Sequence, residues 1–259
     1  MNKRDLIKLI SVSVAVVVLL VTGIAISAGR ASKKQQAEDA AAQATVTEAK
    51  PSTHMINGVT ASLQDTLMAG CETHACTSLL QALGYDIDIF RFAEDYLDCH
   101  YVFEDEDGNS YGPDMNSAFA GTAYAGWGIY APAMAKCMNH YLSDVKSKQK
   151  AYVLENKTLE ELCREYIDND VPVMIWATSN MQEPIESDVW EVNYVDENAK
   201  YKMGDRFIWM IHEHCLVLCG YDEKDYFFSD SVEGKISHFE KAISQKRYEQ
   251  LGWQAIVVK

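Results

Sequence analysis

The stretch AGCETHAC, residues 69–76, organises our interpretation of the whole chain. It opens a segment from Cys71 to Leu83 that lacks Gly and Pro, repeats apolar residues at helical spacing and stops at Gly84. This pattern predicts a helix that begins at Cys71. The unpaired N–H groups of a helix N-terminus favour a thiolate, and Gly70 lets another group approach the backbone beside the sulfur. Cys71 is therefore a candidate nucleophile, although a cysteine in an apolar helix is also typical of a protein core.

The N-terminal segment differs from the rest and predicts a membrane anchor. Lys3, Arg4 and Lys8 precede an uncharged run from residue 9 to residue 28, about the length that crosses a bilayer. The positive flank should stay inside, which places the remainder outside the cytoplasm. We expect residues 1–29 to form one transmembrane helix of a single-pass cell-membrane protein. If the segment is instead a cleaved signal, the protein is secreted.

The next two regions are a predicted linker and a predicted catalytic domain. Residues 30–56 are rich in Ala, Gln, Lys, Glu and Thr without aromatic residues, which indicates a flexible linker. Residues 57–259 are long enough for one domain with a substantial core. Residues 1–34 carry six Lys or Arg and one Asp, so a total charge of −15 leaves −20 for the remainder. This charge argues against nucleic-acid binding and favours basic peptides as partners, or serves solubility alone.

The order of apolar patterns predicts an α+β fold, with a helical N-terminal half and an antiparallel sheet in the C-terminal half. Thr158 and Glu161 form a capping-box pattern at the start of one helix. The Gly- and aromatic-rich segment 111–130 is too irregular for helix or strand and predicts a folded loop. The remaining predicted helices are 86–98, one from Pro132 and 237–251, and the predicted strands are 171–178, 190–194, 214–221, 226–230 and 254–258.

Three residues in chain order, Cys71, His214 and Asp230, have the types that thiol catalysis needs. A thiol is mostly protonated at neutral pH and needs a base, which a histidine at the start of a buried strand can supply. A carboxylate on the next strand of a hairpin can fix the imidazole tautomer. Gln64, upstream of Cys71, could donate to a developing oxyanion or be an ordinary loop residue. A core role for His214 and a turn role for Asp230 remain alternatives.

Metal binding is the other chemistry that the sequence raises, and we predict neither a metal nor a cofactor. The acidic turn 104–109 alternates like a calcium loop, but its Gly is misplaced and Asn116 stands where a bidentate Glu belongs. His212 and His214 share a strand face, but no third ligand follows at a zinc-site spacing. The seven cysteines leave at least one unpaired, and their pairing cannot be deduced from spacing.

Several motifs together resemble a bacterial papain-like family, the double-glycine leader peptidase-like cysteine peptidases (family 39 of the cysteine peptidases, clan CA). The similarity covers about residues 57–259. The motifs, in chain order, are Gly70-Cys71-Glu72, Tyr111-Gly112-Pro113-Asp114, Phe119-Ala120-Gly121, Gly128-Ile129-Tyr130-Ala131-Pro132, Val171-Pro172-Val173-Met174-Ile175-Trp176, Glu213-His214, Gly220-Tyr221-Asp222, Asp230 and the closing Leu251-Gly252-Trp253-Gln254-Ala255-Ile256-Val257.

The resemblance implies a papain-like fold with Cys71 as nucleophile, His214 as base, Asp230 as its orienting carboxylate and Gln64 as the oxyanion donor. The sequence departs from the family at Ser231, where Pro is usual. It also lacks the transporter domains of true leader peptidases. We therefore expect a membrane-tethered extracytoplasmic cysteine peptidase that acts on peptides or proteins. The alternatives are a thiol-dependent cell-wall amidase or transpeptidase, and a catalytically inactive binding module of the same fold.

Overall fold

A computed structural model describes residues 52–259, and the predicted anchor lies outside this range. No helix within 52–259 is long and apolar enough to cross a membrane. The helices are α1 (Cys71–Ala82), α2 (Ile89–Asp95), α3 (Ala131–Asp144), α4 (Leu159–Glu165) and α5 (Lys241–Gln250), with short 3-10 turns at Ile167–Asn169 and Ser179–Met181.

Fourteen strands accompany these helices in the described residues. They are β1 (His54–Met55), β2 (Cys99–His100), β3 (Phe103–Glu104), β4 (Ser110–Pro113), β5 (Phe119–Gly121), β6 (Gly126–Gly128), β7 (Ala151–Leu154), β8 (Val173–Thr178), β9 (Ile185–Tyr194), β10 (Arg206–Ile211), β11 (Glu213–Tyr221), β12 (Asp225–Asp230), β13 (Lys235–Glu240) and β14 (Ala255–Val258).

The largest sheet is antiparallel and has the order β13-β12-β11-β8-β14-β7. Strand β1, which lies at the end of the predicted linker, pairs with the far end of β11. Strands β8 and β11 are almost completely buried, as expected for central strands with long apolar runs. Because β11 lies between β8 and β12, its backbone is held on both sides, and it is a rigid base for the side chains it carries.

Two small sheets form around the Gly-rich segment, which the sequence pattern alone predicted to be irregular. Strand β4 joins a sheet of order β10-β9-β4-β3, while β5 lies between β2 and β6. The prediction of a strandless loop over residues 111–130 was therefore wrong. Short strands rich in Gly have weak sequence signals, and here pairing with distant chain segments such as β9 stabilises them.

The predicted helix 237–251 also needs correction, because its first four residues belong to a strand. Residues Lys235–Glu240 form β13, which pairs with β12, and α5 begins only at Lys241. Glu240 caps α5 by accepting hydrogen bonds from the backbone N–H groups of Ala242 and Ile243. Edge pairing thus outweighs the local helical pattern in this segment.

The predicted helical N-terminal half is present, but its helices are separated by short strands. Helix α1 packs mainly against β11, and its residues from Cys71 to Leu80 are all buried. The capping box at Thr158 and Glu161 is present at the start of α4. Mixed helix and sheet therefore describe the domain, with α1 and β11 as the two elements that position the candidate site.

Candidate active site

Helix α1 begins at Cys71, the position that the sequence pattern predicted. The preceding residue, Gly70, has a backbone that runs too close to Leu67 for any side chain: an added Cβ would lie 2.8 Å from Leu67 Cβ. Cys71 is 8% exposed and belongs to the main hydrophobic core. Gly70 therefore sets the close turn that brings the chain into the helix N-terminus.

His214 and Asp230 form a buried pair across two neighbouring strands. The backbone of β11 pairs with β12 up to Val217 and Ser229, so Asp230 extends beyond this point towards His214. His214 Nε2 and Asp230 Oδ1 are 2.9 Å apart, and the two residues are 2% and 1% exposed. An ionised carboxylate can only accept, so the Nε2–H donates; in the neutral imidazole, Nδ1 then carries the lone pair.

Asp230 is held by more than the imidazole. Ser237 on β13 donates its hydroxyl to Asp230 Oδ2 at 3.0 Å, and the Val232 N–H donates to Oδ1 at 3.1 Å. Burial by itself would raise the pKa of Asp230, but the hydrogen bonds and the adjacent His214 outweigh it and lower this pKa. The carboxylate is thus ionised and oriented, as an orienting partner of a catalytic base must be.

The Cys71 thiol, in contrast, bonds to its own neighbour. It donates to Glu72 Oε2 at 3.2 Å, and Glu72 Oε1 accepts the Ile129 N–H at 2.9 Å. Burial, followed by the nearby Glu72 and Glu213, raises the pKa of Cys71 well above its ordinary value. A hydrogen bond from the backbone of Cys215, the residue after His214, acts in the opposite direction. The sulfur therefore lies beside the β11 backbone at Cys215, the residue that follows His214.

Glu72 and Glu213 bring two carboxyl groups to this sulfur. Glu72 is fully buried, and burial raises its pKa to about 7. Burial and the adjacent Glu72 raise the pKa of Glu213 well above its ordinary value. Gly128 makes room for the pair: at φ +131°, an added Cβ would overlap Glu72 Oε1 and lie 3.3 Å from Glu213 Oε2. This part of the site is acidic and closely packed.

Metal binding was also considered at this position. Cys71, Glu72 and Glu213 form the only set in residues 52–259 whose thiol, carboxyl or imidazole atoms are close enough to bind one metal ion. One atom each from Cys71, Glu72 and Glu213 lies within 4.8 Å of the others. Both Glu72 oxygens already accept hydrogen bonds, from the Cys71 thiol and the Ile129 N–H. We therefore describe the group as a cluster of acidic side chains. His212, considered from sequence as a ligand beside His214, instead contacts the carbonyl of Glu183 through Nδ1.

Comparison with known proteins assigns the domain to a family. The model of the Peptidase C39-like family matches residues 52–256. The chain belongs to this family. The uncharacterized protein YvpB of Bacillus subtilis (strain 168) is 21% identical over 195 residues, which are 74% of this chain and 70% of YvpB. The crystal structure of a C39-like protein from Bacillus anthracis has a TM-score of 0.65 at 23% identity, and covers 80% of this chain and 97% of its own. At this identity the structural likeness shows the C39-like fold alone.

Within this C39-like domain, Gln64 lies on the Asp230 side of the site. Its backbone N–H donates to the Ser231 carbonyl at 2.8 Å, and its Oε1 accepts from the Ser231 hydroxyl at 2.9 Å. Its Nε2 donates to the Met68 carbonyl at 2.8 Å. An amide nitrogen has two hydrogens, so one donor of Gln64 is left over. The departure from the usual Pro at position 231 thus provides the hydroxyl that holds this amide.

The structure brings together three of the four predicted site residues, but the expected contact between Cys71 and His214 is not present as a hydrogen bond. His214 and Asp230 are hydrogen bonded, and Gln64 joins the segment after Asp230. Among the hydrogen bonds of residues 52–259, none joins the Cys71 thiol to His214. In unliganded enzymes such contacts are often long and tighten only with substrate. The assignment of these four residues to catalysis therefore stays a prediction.

The sequence patterns missed several members of this C39-like site. Glu72 and Glu213 were noted only as members of the motifs Gly70-Cys71-Glu72 and Glu213-His214, without a role of their own. His74, one helical turn after Cys71, contacts Ser62 Oγ through Nδ1 at 2.7 Å, and burial lowers its pKa to about 4. A charged residue inside an otherwise buried helix was the one signal that could have marked Glu72.

Proposed function

We propose that this C39-like protein is a membrane-tethered extracytoplasmic cysteine peptidase. The observation that supports this most directly is the buried His214–Asp230 pair, placed on the strand whose backbone adjoins the Cys71 sulfur. An ionised, triply hydrogen-bonded Asp230 beside a buried imidazole is the arrangement expected of a general base and its orienting group.

In the proposed reaction, His214 Nδ1 takes the Cys71 thiol proton, and the thiolate attacks the carbonyl carbon of a peptide bond. The remaining Gln64 N–H is available to the oxygen that gains negative charge. His214 returns the proton to the amine as the C–N bond breaks, which leaves a thioester on Cys71. Water then loses a proton to His214 and attacks the thioester, and the proton returns to Cys71 as the acid leaves.

This function is tested with the full-length chain and a pool of internally quenched peptides. Cys71→Ala and His214→Ala should each abolish turnover. Cys99→Ser is the matched control, because Cys99 is the one cysteine among the seven that is not buried, and it should retain activity. Hydrolysis that persists in Cys71→Ala would exclude this cysteine as nucleophile. Cell-wall fragments form a second substrate arm, and turnover of these alone would favour the amidase or transpeptidase alternative.

Tethering is tested by deletion of residues 1–29. Full-length protein should sediment with membranes and be digested by protease added to intact cells, whereas the deleted form should remain in the soluble fraction. The positive flank and uncharged run of the sequence support this expectation. Protection of the full-length domain from the added protease would place it on the cytoplasmic side and contradict the proposal.

A catalytically inactive binding module is a second candidate, favoured by the Cys71–Glu72 contact and the raised pKa of the thiol. In that case the Gly- and aromatic-rich segment 111–130 would be the binding surface. The two candidates differ in one measurement. His214→Ala should slow the alkylation of Cys71 in a peptidase and leave it unchanged in a binding module.

A further inference from the structure

Two carboxyl groups from distant parts of the chain meet beside the Cys71 sulfur. Glu72 lies on α1 and Glu213 on β11, and one oxygen of each lies within 4.8 Å of the other and of the sulfur. Glu213 Oε1 is buried and has no hydrogen-bond partner among the described residues. Buried polar atoms are nearly always paired, so this oxygen needs an explanation.

The titratable neighbours of this cluster in residues 52–259 are acids. Cys215 from β11 raises the pKa of Cys71, and the two glutamates raise the pKa of Tyr130 from the segment before α3. No Lys, Arg or His appears among the groups that influence Glu72 or Glu213 in the described part of the chain. Two ionised carboxylates at this separation, out of water and without a cation, are strongly unfavourable.

We propose that Glu72 and Glu213 share one proton, and that this acid pair fixes the Cys71 side chain in its resting orientation. The shared proton does not depend on the proposed peptidase activity. The role of both glutamates as positioning residues does depend on it. Glu213 is the carrier of the proton, since Glu72 already accepts from Ile129 and Cys71. A protonated Glu213 gains a hydrogen-bond donor, which an ionised Glu213 lacks.

The consequence for Cys71 follows from the hydrogen bonds of Glu72. Because the Ile129 N–H anchors Oε1, Oε2 is directed at the thiol. The S–H bond therefore points at Glu72 in the resting state, and Cys71 reaches His214 only when this hydrogen bond breaks. The thiol proton then moves to His214 Nδ1, while the shared proton stays on the carboxyl pair and is not consumed.

The first test is the pH dependence of stability in the full-length chain, with Glu213→Gln as the variant. Glutamine replaces a protonated carboxyl group at nearly equal size. The folded wild type holds a proton that the unfolded chain releases above the ordinary glutamate pKa of 4.5. Its unfolding equilibrium constant should therefore rise with pH, and above about pH 7, the pKa of Glu72, it should rise by up to tenfold per pH unit until the pKa of the pair is reached.

Above about pH 7, where Glu72 no longer holds a proton of its own, Glu213→Gln should lose most of this slope, whereas Glu223→Gln, an exposed control, should keep it. An equal slope in wild type and Glu213→Gln would overturn the proposal. So would a wild-type stability that rises with pH and disappears on addition of EDTA, because that result identifies a bound divalent cation in place of the proton. His214→Ala should abolish turnover while keeping the slope, which separates this test from that of the peptidase.

The second test reads the effect on Cys71. As the wild-type pair loses its shared proton at high pH, a second negative charge appears beside the sulfur and opposes thiolate formation. In Glu213→Gln this charge cannot appear, so the rate of Cys71 alkylation by iodoacetamide should rise at lower pH than in wild type. If the pH profiles of Cys71 alkylation coincide in wild type and Glu213→Gln, Glu213 has a structural role only, and the proposed positioning role is wrong.

If Glu213→Gln does not fold, infrared spectroscopy of the wild type decides the question. A protonated carboxyl group absorbs at higher frequency than a carboxylate. At neutral pH the wild type and Glu223→Gln should both show this band. Its absence from the folded wild type at neutral pH would exclude a shared proton.

Discussion

Cys71 and Glu72, neighbours in the sequence, are also joined through their side chains: the thiol donates to Glu72 Oε2 over 3.2 Å. The first turn of a helix stabilises negative charge, but here burial and two carboxyl groups outweigh this effect and raise the pKa of the thiol. The described state is thus one in which the proposed nucleophile is held as a neutral thiol, while the proposed base, His214, is hydrogen bonded to Asp230.

Substitution of Asp230 by Asn should reduce kcat/KM for a quenched peptide by about 10²–10⁴-fold, because the wrong imidazole tautomer becomes accessible. Ser237→Ala is the matched control. It removes one of three hydrogen bonds to Asp230 and leaves the His214 contact, so its loss should be much smaller. Equal losses in the two variants would contradict the orienting role of Asp230 and indicate a general weakening of the sheet.

Gly128→Ala should destabilise the domain by more than about 3 kcal/mol, because the new Cβ would overlap Glu72 Oε1 at a positive φ. Gly84→Ala separates the two effects. Gly84 also has a positive φ, +89°, but nothing lies within 4 Å of an added Cβ, so only backbone strain of about 1–2 kcal/mol is expected. Urea unfolding of both variants measures the difference, and similar costs would show that the carboxyl group yields easily.

Protonation of His74 should destabilise the folded state in acid. Burial lowers its pKa from 6.5 to about 4, so between these values the unfolded chain binds more protons than the folded chain. This histidine's contribution to stability is therefore present above pH 6.5 and declines as the pH falls towards 4. Urea midpoints of His74→Gln should depend less on pH in this window than those of wild type. His140→Gln, at an exposed position, should retain the wild-type dependence.

Glu72→Gln should both weaken the fold and release the thiol. One amide oxygen cannot replace two carboxylate acceptors, so either the Ile129 N–H or the thiol loses its partner, at about 1–3 kcal/mol. Loss of the charge beside the sulfur should lower the pKa of Cys71. The alkylation rate at fixed pH should then rise, by tenfold for each unit of that shift. An unchanged rate would show that Glu72 does not restrain Cys71.

The elements that carry the site were predictable from local patterns. The spacing of apolar residues after Gly70 predicts a helix from Cys71, and α1 begins there. The apolar runs around His214 and before Asp230 predict the hairpin that β11 and β12 form. Membership of the C39-like family followed from motifs in order, and the family match over residues 52–256 confirms it.

Other features depend on partners that are far away in the sequence. Residues 237–240 have a helical pattern, but pairing with β12 makes them part of β13. Gly126–Gly128 has almost no strand signal, yet it pairs with β5. In both cases backbone hydrogen bonds to a neighbouring strand outweigh the local secondary-structure preference. A short stretch of sequence shows only that local preference, so it could not predict these strands.

By itself, therefore, the sequence determined where the nucleophile, base and carboxylate candidates lie on a helix and a hairpin, since apolar periodicity and turn residues are encoded locally. The tertiary structure alone decided what each side chain contacts. It paired His214 with Asp230, directed the Cys71 thiol to Glu72 and brought Glu213 to the same place. The physical reason is burial: once water is excluded, the protons and hydrogen bonds of these groups are set by whichever polar neighbours the fold packs against them.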